Sequence, residues 1–445
     1  LRQDASDLYA RYVNPEFADL LRVFDYGRDF VRARGMCLYD SEGREYLDFL
    51  AGFGVHNVGH NHPRLVRALH ETLDSEGSSM LNVDAPLYRA SLAQKLSSLT
   101  HSGLCRTVFA NSGAEAVDVA IKTARRATGR ATIIACSGGY HGLSVGAAGL
   151  IEDPLYRVLP GATAGDVRWV PFGDCASLES MCRKEKPAAF IVEPVQGEGG
   201  IRIPGETYLE EASAICRRHG GLFVVDEIQT GLGRTGAMFA TPFHRVVPDI
   251  LLLGKALGGG IIPIAIAMMT ADAWKRSFGT PLTCNLNAST FAGGRLAVAA
   301  ARESLAIVEE EMLPAAAVAR GAGLAADLSL LALRHPVVRA VRQQGLLIGV
   351  EFRPASGLLM KAIPAWAREG LYAQVVCALL LRDHGIVAQP CTLAQNVLRV
   401  EPPLVVTLAD ARAFVTALDE TMRACPDHGA AIASAFRKRV LGKAL

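Results

Sequence analysis

Lys255 follows four aliphatic residues, Ile250 to Leu253, and is bracketed by Gly254 and by Gly258 to Gly260. A lysine is ordinarily a solvated surface group. An apolar approach and glycine surroundings predict instead a partly desolvated amine, whose lowered pKa makes it a nucleophile toward carbonyls. Asp226 closes another apolar run, Leu222 to Val225. It is either a paired structural acid or a buried carboxylate that keeps a pyridine nitrogen protonated, which turns such a ring into an electron sink. Three more apolar runs end in the same manner. Thr107 to Ala110 leads into Asn111, Ser112 and Gly113; Thr132 to Cys136 leads into Ser137, Gly138, Gly139, Tyr140 and His141; Phe190 to Val192 leads into Glu193.

Ser112 also opens a stretch in which Ala114, Val117, Ile121 and Ala124 recur at helical spacing, with Glu115 three residues after the serine. That is a capping-box pattern. A helix N-terminus with free N–H groups is equally an anion site, suited to a phosphate. The two roles are compatible.

These residues share one location only if the elements that carry them form one sheet. Short apolar runs alternating with helical stretches predict a mostly parallel sheet covered on both faces, and ligands in such α/β sheets sit beyond the carboxyl ends of the strands. Residues 76–311 read as this large domain. Residues 1–75 read as an N-terminal arm and part of a small domain, with a hairpin formed by Met36 to Tyr39, a turn at Asp40 to Gly43, and Glu45 to Leu50. Residues 312–445 read as a smaller α+β domain, with strands at Leu346 to Phe352 and Val397 to Val400 and a helix around Asp410 to Arg423. The basic tail, Arg437, Lys438, Arg439 and Lys443, reads as a solvated helix end.

A chain of 445 residues, half of them hydrophobic, can bury a large core, and its net charge of +2 implies no broad basic surface for nucleic acid. Ten cysteines without paired spacing read as reduced packing residues, and with no leader sequence evident they place the protein in the cytoplasm. Ala131 to Ile151 has no charged side chain, yet its glycines and His141 suit an active-site loop better than a bilayer span, so no membrane segment is expected. Gly231-Leu232-Gly233-Arg234-Thr235-Gly236 matches a dinucleotide pattern but stands apart from the preceding strand and lacks the acid that should end the next one, which argues against a nicotinamide site. His56, His60 and His62 have no carboxylate or cysteine beside them in sequence, and no metal is expected.

The ordered set Ser112-Gly113-Ala114-Glu115-Ala116, Gly139-Tyr140-His141-Gly142, Glu193-Pro194-Val195-Gln196-Gly197-Glu198, Asp226-Glu227-Ile228-Gln229-Thr230-Gly231 and Gly254-Lys255-Ala256-Leu257-Gly258-Gly259 resembles the class III aminotransferases, a fold-type I group that uses pyridoxal 5'-phosphate. The resemblance runs from about Gly35 to Pro403. It implies a seven-stranded type of large-domain sheet and a Schiff base between the cofactor and Lys255, which then shuttles a proton. It further implies that Asp226 holds the ring nitrogen, Gln229 the ring hydroxyl, and Ile228 one ring face. Tyr140 would stack on the other face beside His141, and Glu193 would lie near. Ser112, Gly113 and Ala114 would hold the phosphate, joined by Ser289 and Thr290 from a second subunit of a homodimer. Glu198 and Arg399 match a pair that closes as a salt bridge for one substrate and opens to receive an α-carboxylate from the other.

Two positions depart from the pattern. Leu143 stands where many relatives carry an arginine, and Phe53 where some place a substrate-binding tyrosine. Either they pack in the core, or one substrate is a terminal amine or aldehyde with an apolar or weakly polar body. The other substrate would then be glutamate/2-oxoglutarate or alanine/pyruvate, in a ping-pong transfer. The alternatives are an epimerase or aminomutase of the same fold and, more distantly, a nicotinamide-dependent dehydrogenase.

Overall fold

The computed structural model describes residues 5–24, 26–80, 84–100, 103–156, 166–354 and 370–427. The basic tail lies outside them. Near the N-terminus β1 (Phe30–Arg34), β2 (Cys37–Asp40) and β3 (Glu45–Asp48) form an antiparallel meander that includes the expected hairpin.

The large sheet is built from β4 (Arg106–Ala110), β5 (Ile133–Cys136), β6 (Val167–Val170), β7 (Ala189–Val192), β8 (Leu222–Asp226), β9 (Ile250–Leu253) and β10 (Ala265–Met269). Its order is β4-β10-β9-β8-β7-β5-β6. The neighbours from β9 through β6 pair in parallel, while β10 runs antiparallel to both β9 and β4. Side chains alternate across this sheet, so Phe190, Val192, Phe223, Val225, Leu251 and Leu253 face one core, while Ile191, Leu222, Val224, Ile250 and Leu252 face another. Both faces are apolar, which is why these strands read as continuous hydrophobic runs.

The third layer holds β11 (Val338–Gln344), β12 (Leu347–Phe352), β14 (Gln389–Pro390) and β15 (Val397–Val400), in the order β11-β12-β15-β14. The short strand β13 (Ile386–Val387) instead joins β3 in parallel, so the N-terminal sheet is completed by the C-terminal part of the chain. Helix Leu313–Arg334 is long and apolar enough by composition to cross a membrane; in this fold its Leu313, Ala317, Leu324, Leu328 and Leu331 join the core beneath these strands.

Candidate active site

Because β4, β5, β7, β8 and β9 point the same way, their carboxyl ends form one edge, and the reversed β10 brings its own beginning, after Pro263 and Ile264, to that edge as well. At the end of β4, helix Gly113–Thr128 starts with Ser112 as its cap: the Ser112 hydroxyl accepts the Glu115 N–H at 3.2 Å. The expected box is only half made. Glu115 Oε2 takes the N–H of Asn111, at 2.7 Å, in place of that of Ser112. A cavity of about 260 Å³ opens here, lined by Asn111, Ser112, Gly113, Lys255 and Pro263 among others.

Lys255 enters this cavity partly buried, and among the described residues its amine takes no hydrogen bond or ion pair. Burial lowers its pKa; Glu401, Glu198 and Glu193 oppose that and Arg399 adds to it. Its backbone has φ +45°, in the left-handed region that an L-residue enters only under strain, and such strain concentrates at functional sites. Ile228 forms the floor between β8 and the helix: a Cβ on Gly113 would stand 2.9 Å from Ile228 Cδ1, so a larger residue there would have to displace the isoleucine side chain.

On the next strand Asp226 accepts the Ile228 N–H at 3.0 Å and the His141 Nδ1–H at 2.7 Å. Burial disfavours an imidazolium at His141, but the Asp226 bond and the charges of Asp226 and Glu193 win, and its pKa is raised. Its Nε2 is buried and has no partner among the described residues. In the parallel pairing Val192 lies opposite Val225, which sets Glu193 beside Asp226. Burial and that neighbouring carboxylate push Glu193 up to about 7, against the His141 charge and the N–H groups of Tyr140 (3.0 Å) and Gly197 (3.3 Å). Tyr140 is partly buried, and its hydroxyl pKa is raised by burial and by Glu198.

The loop after β7 delivers Glu198 to Arg399 on β15. The guanidinium grips both carboxylate oxygens, through Nη1 to Oε1 and through Nη2 to Oε2 at 2.8 Å. Thr392 N–H adds a bond to Glu198 at 2.8 Å, and Arg399 also donates to the Pro390 carbonyl at 3.2 Å. Desolvation works against the charge on Glu198, yet Arg399 holds it down at about 2. The Phe53 ring covers the guanidinium at 4.9 Å. Phe53 and Leu143 are 42% and 59% exposed, so core packing does not account for them.

The sequence reading missed Glu401. It is fully buried, accepts both of its hydrogen bonds from Gln229 Nε2 at 3.0 and 3.2 Å, and lies 3.8 Å from both Arg234 and Arg399. Its only signal was its place two residues after Arg399. The Gly231 to Gly236 segment surrounds buried Arg234, which donates to the carbonyls of Leu346 (3.0 Å) and Pro402 (2.6 Å) and to Asn57 Oδ1 (2.6 Å).

Carboxylates reach the histidines through space: Asp48 lies 2.8 Å from His60 and Glu311 lies 3.2 Å from His62, while the His56 and His60 rings lie 3.8 Å apart. No group of three metal-binding side chains forms among the described residues. The Ser289 hydroxyl accepts from Asn111 Nδ2 of its own chain at 3.0 Å. Hydrogen bonds from Asn111 and from Lys122 to the Leu286 carbonyl, at 3.0 Å, hold the segment there.

A parallel-sheet edge presenting a free lysine, a histidine-held aspartate and a helix N-terminus defines an α/β transferase of fold type I. A family model described as "Aminotransferase class-III" matches residues 24–422, and the chain belongs to that family. It is a pyridoxal-phosphate-dependent aminotransferase. It is 36% identical to a putrescine aminotransferase of Pectobacterium atrosepticum, over 92% of this chain and 86% of that protein. It is 30% identical to aminotransferase PigE of a Serratia species over 94% of this chain, which spans only 53% of that longer protein. Among solved structures, the ornithine aminotransferase of Toxoplasma gondii superposes with a TM-score of 0.80 at 30% identity, covering 95% of this chain and 99% of that one.

Proposed function

We propose that the enzyme moves an amino group between a primary amine lacking an α-carboxylate and a 2-oxo acid, 2-oxoglutarate or pyruvate, giving an aldehyde and glutamate or alanine in two half-reactions. The observation that carries this reading is the closed Glu198–Arg399 pair: the buried Arg399 guanidinium is already neutralised, as an uncharged substrate body requires. Exposed Leu143 and Phe53 supply no second carboxylate anchor.

Pyridoxal phosphate supplies a carbonyl for the amine and a ring that takes up the electrons released at the substrate carbon. The residues fit it. Ser112, Gly113 and Ala114 offer N–H groups for the phosphate, with Ser289 and Thr290 at the same corner. Asp226, fixed by His141, stands ready to keep a ring nitrogen protonated, and Glu193 lies beside it. Ile228 offers one face, Tyr140 the other, and Gln229 an amide for the ring hydroxyl. Lys255 Nζ, made less basic by burial, takes the proton from the substrate carbon and returns it.

The functional unit we propose is a homodimer, supported by Leu87, Leu143, Leu282 and Phe291, apolar side chains exposed in the single chain. All ten cysteines are free, which supports a reducing compartment, the cytoplasm. Stopped-flow spectra of the holoenzyme test the reaction: simple amines should discharge the cofactor's visible absorbance, and glutamate or alanine should do so in the other half-reaction. Rapid reaction with ornithine or acetylornithine and none with simple amines would overturn the proposal.

A further inference from the structure

Beside the Glu198–Arg399 pair lies a second and larger cavity, of about 650 Å³. It shares a wall with the pair. Thr392, whose N–H binds Glu198, and Pro390, whose carbonyl binds Arg399, both line it, and Phe53 stands at the boundary. Its far side is made by the apolar face of helix Pro15–Val23, which contributes Phe17 and Leu20, and by Leu371 at the start of helix Leu371–His384. The volume falls in the range of roughly 300–1,000 Å³ that encloses whole small molecules.

The chemistry of the lining decides what fits. Among the described residues it contains no aspartate, glutamate, lysine, arginine or histidine. The second ammonium of a diamine would lose its hydration there and gain no counter-charge, which is costly in an apolar enclosure. The same holds for the far carboxylate of an ω-amino acid. An alkyl chain loses nothing on entry and gains from each carbon removed from water. The neutral amides Gln374, Gln389 and Gln395 on the remaining wall leave room for a carbonyl or hydroxyl on such a chain.

Resting on the amine-aldehyde reading above, we infer that the substrate is an amphiphilic monoamine and its aldehyde, whose alkyl tail fills this cavity while its amine reaches Lys255. At about 30 Å³ for each water-sized group, the space takes up to about twenty of them, enough for a tail of eight carbons or more.

The test is the first half-reaction of the holoenzyme with straight-chain amines of increasing length and with putrescine. Each added methylene should raise the second-order rate constant about 3–4-fold until the cavity is full. Octylamine should outrun putrescine by at least about a hundredfold. In Leu20→Asp the ratio of octylamine to butylamine rates, read within the variant, should fall at least about tenfold. A flat dependence on chain length, putrescine matching octylamine, or an unchanged ratio in the variant would each overturn the inference. If glutamate or alanine discharges the cofactor but no length dependence is seen, only the tail assignment fails. If neither amino acids nor amines react, the proposed reaction itself falls.

Discussion

His141 and Asp226, 85 residues apart in sequence, are joined by a 2.7 Å hydrogen bond in which both partners are buried. The bond gives the histidine a pKa above its ordinary 6.5. Its contribution to stability is therefore fully present below pH 6.5 and is lost as the pH rises through the higher folded value. His141→Asn should remove that dependence. The gap in melting temperature between parent and variant is expected to be widest at pH 6 and to narrow as the pH rises beyond the folded value; a constant gap would show that the imidazolium is not what matters.

Glu198 has the opposite sign. Its folded pKa is depressed to about 2 from 4.5, so its stabilisation is present above pH 4.5 and disappears as the pH falls toward 2. Glu198→Ala leaves Arg399 buried without its bidentate partner and should cost about 3–5 kcal/mol in denaturant unfolding at pH 7. The variant should also discriminate less against donors bearing an α-carboxylate, seen as a fall in the amine-to-glutamate ratio of kcat/KM.

Lys255 carries the largest expected loss. Lys255→Ala should retain its fold by circular dichroism yet lose turnover by at least about a thousandfold. Turnover equal to that of the parent would exclude this amine from the chemistry.

At Ser112, capping and phosphate binding separate by readout. Ser112→Ala should lose about 1 kcal/mol of stability from the missing cap. If the serine also holds phosphate, the variant's affinity for pyridoxal phosphate falls by more than that loss; an unchanged affinity would leave Ser112 a cap alone.

Strands β5, β7, β8 and β9 were legible because each is buried on both faces and is followed by or ends in a polar residue with distinctive chemistry, and β4 because its buried Val108 and Ala110 lead into such residues. Strand β10 ends in no such residue, and nothing local shows that Ala265 to Met269 runs backward between β4 and β9. Lys255 and Asp226 followed from strand ends and glycine flanks. Glu401 did not, because its role depends on Gln229, 172 residues away, and on two arginines brought to it by tertiary packing. The carboxylate beside His60 was hidden for the same reason: Asp48 is near it in space through the β2–β3 meander rather than through spacing.

Arg234, fully buried, sits in the loop after β8 and fastens the turn before β12 and the chain just past β15 with hydrogen bonds of 3.0 and 2.6 Å. A rivet of this kind prevents the C-terminal strands from peeling away from the lysine-bearing sheet. In the proposed reaction, a carboxylate would reach Arg399 by Glu198 swinging aside on its own flexible stem, so that alternation between the two substrates is a matter of one rotamer and not of a parting of layers.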